Sequence, residues 1–269
     1  MILFPNAKIN IGLNIIEKRP DGFHNIETLF YPIGLSDILE VNKSNKLDFK
    51  NTGLIVENKK PESNLCYKAY QILNDDYDLG PINIHLHKII PFGAGIGGGS
   101  ADATFTLKLL NSLFDLKLSN PQLQQYAERI GSDCSFFILN KPAFATEKGN
   151  ILNEIDLNLN GYFLVLIHPG IHVNTAIAYS NVTPKQPEKK LTELINAPIE
   201  NWKGKVVNDF EKSVFKNHPE LKGIKEELYA RGALYASMSG SGSAVYGIFK
   251  DEINLKQIFN RHFVWSEWL

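Results

Sequence analysis

The run from Ile89 to Ala103, Ile-Ile-Pro-Phe-Gly-Ala-Gly-Ile-Gly-Gly-Gly-Ser-Ala-Asp-Ala, constrains the fold more than any other stretch of the chain. Five of the nine residues from Pro91 to Gly99 are glycine. Glycine gives up more backbone freedom on folding than any other residue, so this density points to positive-φ turns or to close approach of backbone to a ligand. Upstream, Ile82, Ile84 and Leu86 alternate with Asn83, His85 and His87, which reads as a strand over Ile82 to Ile90. Downstream, Ala101 to Leu113 carries a helical pattern. A glycine loop opening a helix is suited to an anion, because the first N–H groups of a helix are unpaired and its dipole is positive there. The run therefore reads as a phosphate cradle, with a tight structural connector as the plainer alternative.

Three parses of the loop compete. A Walker A loop ends in Gly-Lys-Ser/Thr, and here Gly99 is followed by Ser100 and Ala101. The dinucleotide fingerprint G-x-G-x-x-G fits Gly93, Gly95 and Gly98. It requires an acid about 20 residues on, at the end of a second parallel strand. Asp115 stands near that distance, but Leu113 to Leu118 reads as a helix end and loop. The third parse is Pro91-x-x-x-Gly95-Ile96-Gly97, then Gly98, Gly99 and Ser100 before the helix. It resembles the phosphate loop of the GHMP small-molecule kinases.

Bulk properties narrow the partners. A chain of 269 residues suits one large domain or two modest ones. With 43% hydrophobic and 21% charged residues it reads as an ordinary globular protein. A net charge of −1 provides no field for nucleic acid. Cys66 and Cys134 form no C-x-x-C pair, so neither a zinc site nor a disulfide framework is expected, and a cytoplasmic setting is the default. No apolar run is long enough to span a bilayer, and Met1 to Asn10 lacks the features of a signal peptide.

The remaining chain reads as follows. Strands are expected over Ile2 to Ile16, Ile26 to Ile33, Asp37 to Val41 and Lys46 to Phe49, with a turn at Arg19-Pro20-Asp21-Gly22. A polar connection runs from Val56 to Pro61, and Ser63 reads as the cap of a helix reaching Asp75. Ser119-Asn120-Pro121 opens a further helix that stops at Gly131. The Asn- and Leu-rich stretch from Asn153 to Gly161 reads as a domain boundary, dividing the chain into 1–155 and 156–269. Beyond it, Tyr162 to Ile167, Ala233 to Met238 and Ala244 to Phe249 read as strands. Asn174 to Tyr179, Leu191 to Asn196, Asp209 to Lys216, Pro219 to Arg231 and an amphipathic Asn254 to Phe263 read as helical.

The resemblance extends along almost the whole chain. Met238-Ser239-Gly240-Ser241-Gly242-Ser243-Ala244 looks like the second glycine element of the GHMP kinases, with Ser241 where threonine is common. Ala7-Lys8-Ile9-Asn10, Arg19-Pro20-Asp21-Gly22-Phe23-His24, Gly97 to Ala103, Gly131-Ser132-Asp133 before Phe136-Phe137, and Pro169-Gly170 with Thr175 resemble one branch of that family. That branch acts on a cytidine diphosphate-linked methylerythritol in isoprenoid precursor synthesis. Two departures stand out: Phe23 replaces the usual tyrosine, and Asn6 separates Pro5 from Ala7.

The resemblance implies an α+β fold of two domains, the N-terminal one like ribosomal protein S5 and the C-terminal one a ferredoxin-like α/β sandwich. It implies ATP and Mg²⁺, with the metal held mostly by the phosphates and no metal-ligating residue set. Asn64, Pro91, Gly93, Gly95, Ile96, Gly97, Gly98, Gly99, Ser100 and Ala101 are the implied nucleotide residues. Asp133 is the implied general base, with Lys8 beside it keeping it ionised and favouring the alkoxide. Phe23 and Tyr179 are the implied aromatic walls of the cytosine, and His24 its hydrogen-bonding edge. Asn10, Thr175, Gly240 and Ser241 complete the implied substrate site. Read without the resemblance, Ser100 is equally an N-cap, Asn64 a helix cap, Lys8 a solvated lysine and the aromatics core. A GHMP kinase for mevalonate or homoserine, or a non-catalytic nucleotide-binding protein on the same fold, is the alternative. A monomer or weak homodimer is expected.

Overall fold

The computed structural model describes residues 1–54 and 61–269. The polar connection expected from Val56 to Pro61 lies outside the described residues, apart from Pro61 itself, which opens a short 3-10 turn, Pro61–Ser63. The chain forms two compact units, each discontinuous in sequence. The first comprises Met1–Ala7, Leu35–Phe92 and Gly97–Lys141, and the second Lys8–Gly34, Gly93–Ile96 and Pro142–Leu269. A cut at 155/156 is not a boundary of either unit.

In the first unit a four-stranded sheet has the order β1 (Ile2–Leu3), β4 (Ile38–Lys43), β6 (Ile82–Lys88), β5 (Asp48–Gly53). β4 runs antiparallel to β6, pairing Leu39 with Leu86 and Val41 with Ile84, and β5 runs parallel to it. The alternation read in β6 is real, since Ile82, Ile84 and Leu86 are buried and Asn83 is exposed. Four helices accompany the sheet: α1 (Leu65–Tyr77), α2 (Gly98–Leu113), α3 (Asn120–Glu128) and the single turn α4 (Phe136–Leu139). Helix α1 is capped by Asn64 and not by Ser63: the Asn64 side chain accepts from the Cys66 N–H at 2.9 Å. Helix α2 starts at Gly98, three residues before Ala101, because Gly97 at φ 74° supplies the cap. Gly98, Gly99 and Ser100 are thus its first turn, and Ser100 is not its cap. α2 is buried without a break from Ala101 to Leu107, the polar Asp102, Thr104 and Thr106 included.

The second unit holds two four-stranded sheets. One has the order β2 (Asn6–Lys18), β3 (His24–Ser36), β7 (Ala143–Thr146), β8 (Ile151–Glu154). The first residues of β2 and the last of β3 belong to the other unit. The other sheet has the order β10 (Tyr235–Met238), β11 (Val245–Phe249), β9 (Phe163–His168), β12 (Phe263–Trp268), antiparallel throughout. Helices α5 (Thr175–Ser180), α6 (Leu191–Leu194), α7 (Glu211–Asn217) and α8 (Pro219–Ala230) complete it. Leu13, Ile15 and Ile26 share a core with Val165, Ile167, Val214, Leu221 and Leu228.

The expected helix over Asn254 to Phe263 does not form. Phe259 N–H donates to Leu255 O at 3.0 Å and His262 N–H to Phe259 O at 2.9 Å, a pair of turns that bury Leu255 and Phe259. The chain then enters β12, where the β-prone Phe263-Val264-Trp265 pairs with β9. Strand β2 is buried on both faces: Asn10 and Asn14 are buried along with Ile9, Ile11, Leu13 and Ile15.

Candidate functional site

The first half of the glycine loop lies in the second unit, where side chains and backbone fix it from two directions. Gly95 has φ +77°, and a Cβ there would lie 2.2 Å from Ser239 O. Only glycine meets both conditions. The Ser239 hydroxyl donates to Gly95 O at 2.9 Å and accepts from Asn10 N–H at 3.1 Å. Ala244 N–H donates to Ala94 O, and Lys8 N–H to Ile96 O, both at 3.0 Å. The first half of the loop is therefore held between β2 and the Ser239–Ala244 turn. Asn208, which sequence reading did not single out, holds that turn: its Nδ2 donates to Met238 O and Gly240 O, each at 2.8 Å. Thr175 Oγ1 and Ser241 Oγ share a hydrogen bond at 3.0 Å, so two implied substrate residues meet.

Lys8 is 2% exposed, which excludes a solvated lysine. Its Nζ donates to Asn10 Oδ1 at 2.5 Å and lies 4.4 Å from the centre of the Phe30 ring. A dry ammonium needs such partners, since burial of an unpaired charge is costly. Asn10 is in turn oriented by Nδ2 donating to Thr28 Oγ1 at 2.9 Å, and that hydroxyl donates to Gly12 O at 2.6 Å. Thr28 is fully buried on β3.

The aromatic residues are arranged differently from the implied pair of walls. The ring stacked on Tyr179 is His24, with centroids 4.8 Å apart and planes 17° from parallel. Phe210 meets Tyr179 edge-on, also at 4.8 Å. Phe23 is 60% exposed, with Lys148 Nζ 5.1 Å from its ring centre. Burial, then the charge of Lys18, holds the His24 imidazole below its ordinary pKa, so the stacked ring is neutral at pH 7.

In the first unit, the N–H groups of Gly98, Gly99 and Ser100 open α2, and Ala101 N–H closes its first intrahelical bond on Gly97 O at 2.9 Å. The first-turn donors have no partner within the helix, the arrangement that binds phosphate. Asp133 is half-buried in a turn between Gly131 and Ser135. Cys134 N–H donates to Gly131 O at 3.1 Å, and Thr104 Oγ1 on α2 donates to Cys134 O at 2.8 Å, which ties that turn to the helix. The Ser100 hydroxyl hydrogen-bonds the Cys134 thiol, whose pKa burial pushes up to about 11. Pro91 is buried, and Asn64 is committed to its cap through Oδ1. Sequence reading also passed over a buried cluster of Asp37, Lys88 and Asp102. Asp102 lies inside the quoted loop motif, but a dry carboxylate leaves no pattern in a sequence. A cavity of about 670 Å³ lined by Asn181, Lys185, Asn208 and Lys212 contains none of the implied site residues.

The chain matches the family description "GHMP kinases N terminal domain" over residues 64–141 and "GHMP kinases C terminal" over residues 189–263. It is 53% identical to a 4-diphosphocytidyl-2-C-methyl-D-erythritol kinase of Bacteroides fragilis, over 94% of this chain and 93% of that one. A protein of the same name from Parabacteroides distasonis is 51% identical over 99% of this chain and 98% of its own length. Among solved structures, one titled 4-(cytidine 5'-diphospho)-2C-methyl-D-erythritol kinase superposes with a TM-score of 0.83 at 30% identity, covering 99% of this chain and 98% of that one. The mixed α/β fold is the one the loop resemblance implied.

Proposed function

The chain belongs to the GHMP kinases and, within them, to the 4-diphosphocytidyl-2-C-methyl-D-erythritol kinases, and on that premise we propose that it transfers the γ-phosphoryl group of ATP to the 2-hydroxyl of 4-diphosphocytidyl-2-C-methyl-D-erythritol. The product is a phosphate monoester at that carbon, and ADP leaves. This is a step of the methylerythritol phosphate route to isoprenoid precursors. The observation that carries the reading is the buried Lys8 ammonium, fixed by Asn10 on the strand that also pins the glycine loop. Such a desolvated cation stabilises developing negative charge far better than a hydrated one.

Phosphoryl transfer needs positioning and charge stabilisation more than covalent help. The N–H groups from Gly95 to Ser100 hold the triphosphate, with Pro91, Gly93 and Ala101 shaping the loop around it and Asn64 beside the adenine. Asp133 accepts the proton of the attacking hydroxyl as general base, assisted by the Lys8 ammonium, whose charge favours the alkoxide. Asn10, Thr175, Gly240 and Ser241 hold the methylerythritol and diphosphate. The cytosine sits between Phe23 and Tyr179 with His24 at its edge. A base that occupies the Tyr179 face covered by His24 must displace that imidazole. Among the described residues no group of three or more His, Cys, Asp or Glu side chains is arranged for a metal ion. Mg²⁺ would enter as the ATP complex and would supply neutralisation of phosphate charge, as suits an ion that keeps oxygen ligands from phosphate and water.

We also propose that 1–155 and 156–269 are the two functional modules, that the chain acts as a monomer or weak homodimer, and that it works in the cytoplasm. The two free, buried thiols of Cys66 and Cys134 suit a reducing compartment. No helix among the described residues is long and apolar enough to cross a membrane. Phosphorus NMR of the reaction mixture tests the chemistry: a new monoester signal must appear in step with ADP. ATP hydrolysis to inorganic phosphate without a new ester contradicts it.

A further inference from the structure

Beneath the loop's helix, three ionisable side chains share one dry pocket of the first unit. Lys88 ends β6, Asp37 precedes β4, and Asp102 is the fifth residue of α2. Their side chains are 1%, 0% and 3% exposed. Lys88 Nζ donates to Asp102 Oδ2 at 2.8 Å and makes a short contact with Asp37 Oδ2. Asp37 Oδ1 accepts from Ile89 N–H at 2.5 Å and from Ile90 N–H at 2.8 Å, the two residues that lead into the glycine loop. A Cβ on Gly98 would lie 3.0 Å from Lys88 Nζ and 2.7 Å from Ile90 Cγ2, so the cluster also sets where α2 begins.

Two carboxyl groups face one ammonium here, and the charges do not balance. With both carboxylates ionised the pocket carries one net negative charge. Asp102 Oδ1 is buried and has no hydrogen-bond partner, whereas both oxygens of Asp37 are engaged. One added proton on Asp102 makes the pocket neutral, and the natural place for it is the unpartnered oxygen. Asp102 lies about 6 Å along the helix axis from Gly98, at 1.5 Å rise per residue. A polyphosphate at the first turn of α2 is therefore a second negative charge close to the first.

We propose that Asp37, Lys88 and Asp102 are positioning residues for the nucleotide, fixing the loop approach to the start of α2, and that binding of a polyphosphate at that helix end shifts Asp102 towards its protonated form, with net uptake of solvent protons onto that carboxyl. The inference rests on the kinase reading of the loop. The step is Asp102–COO⁻ plus H⁺ from solvent giving Asp102–COOH, with no other bond changed.

The surroundings are compatible. Burial, reinforced by the Asp37 charge and opposed by Lys88, pushes the Asp102 carboxyl up to about 8. Lys88 is held charged, its pKa raised because the two carboxylates outweigh the effect of burial. From α1, the Cys66 thiol faces the pocket and burial and the Asp102 charge push its pKa far up, so it stays protonated. Cys134 and Asp133 lie on the opposite side of α2, with Ser100 and Thr104. Lys108, further along α2 and donating to Phe137 O at 2.7 Å, is pushed down by burial to about 8. Any linkage through Lys108 survives replacement of Asp102, which separates the two.

The test is calorimetric titration of ADP and ATP into the intact protein between pH 7.5 and 9, in buffers of different ionisation enthalpy. The nucleotide phosphates are already fully ionised there, since a phosphate monoester loses its last proton near pH 6. Wild type should take up a fraction of a proton per nucleotide at pH 8, and its affinity should weaken about 3- to 10-fold from pH 7.5 to 9, within the limit of one-proton linkage. Asp102→Asn keeps the shape and the oxygen acceptor for Lys88, and should bind with no uptake and less than about 2-fold pH dependence. Equal proton numbers in wild type and Asp102→Asn overturn the proposal. Carboxyl ¹³C NMR of the unmutated protein needs no variant: one aspartate should titrate above pH 7 and move higher with ADP, and absence of any such signal overturns it too. A protein that gives no nucleotide-binding heat at all contradicts the kinase reading itself, and the inference falls with it.

Discussion

Lys8 shows how much a single residue reveals before its surroundings are known. The stretch from Ile2 to Ile16 was legible as a strand, but read without the resemblance Lys8 was a solvated lysine, and Lys8, Asn10 and Asn14 are all buried. A strand covered on both faces can bury polar groups when each finds a partner, and those partners are far away in sequence, as with Thr28 and Ser239 for Asn10. Only the family resemblance pointed to Lys8 and Asp133, because residue type and spacing do not distinguish a base from a turn aspartate. Asp133→Asn should fold and bind nucleotide like wild type but lose turnover by about 10²- to 10⁴-fold, measured by single-turnover kinetics. Near-normal turnover removes Asp133 from the base role. His168 gives a pH prediction. It is 8% exposed on β9, its Nε2 has no partner, and burial depresses its pKa. The unfolded chain protonates this imidazole near pH 6.5, the folded protein only at lower pH, so the stability involved is complete above about pH 6.5 and is lost as pH falls through the folded value. Urea titrations of wild type and His168→Leu from pH 7.5 to 5 should show a steeper acid loss in wild type, and parallel curves contradict this.

At the scale of elements, the strands and helices with a regular period were legible and the irregular joints were not. β6 and α2 were read from alternation and apolar content, but the start of α2 was misplaced because Gly97 caps it by backbone geometry instead of by a side chain. The short hairpin β7–β8 has no run long enough to stand out, and β12 was hidden behind turns that mimic one helical repeat. Gly95→Ala tests the loop. With φ +77° and a Cβ 2.2 Å from Ser239 O, it should cost more than Gly161→Ala, where φ is +84° but nothing lies within 4 Å. Gly161→Ala carries only the dihedral penalty of about 1 kcal/mol, and Gly95→Ala should exceed it by at least about 1 kcal/mol, read from denaturation midpoints. Equal losses mean that the loop is not clamped on Ser239. Asn64 separates two roles in one residue. Asn64→Ala should lose about 1 kcal/mol through the cap. Asn64→Asp keeps the acceptor for Cys66 N–H and should retain stability, while weakening nucleotide affinity through loss of the amide donor. Unchanged ATP affinity in Asn64→Asp assigns Asn64 to the cap alone.

At the scale of the whole molecule, the family was legible because its motifs are spread in order from Ala7 to Ala244, and relatives at 53% and 51% identity bear it out. The division into units was not legible. Stretches as far apart as Lys8–Gly34 and Gly93–Ile96 belong with Pro142–Leu269, and no shift in composition marks such interleaving. The Asn-rich stretch near 155 marks a change in sequence character, whereas a compact unit is defined by which side chains pack together. The central claim concerns which alcohol receives the phosphate, and Phe23, His24 and Tyr179 are the residues proposed to recognise the base of the acceptor. The most direct measurement is coupled ADP release with Mg²⁺-ATP and four acceptors in parallel: 4-diphosphocytidyl-2-C-methyl-D-erythritol, mevalonate, homoserine and galactose. Saturable ADP release with the cytidylated substrate, and kcat/KM at least about 10³-fold lower for the other three, is the result expected when a site built to hydrogen-bond and stack a base meets ligands without one. Comparable turnover of mevalonate or homoserine, or no turnover of any acceptor, contradicts it.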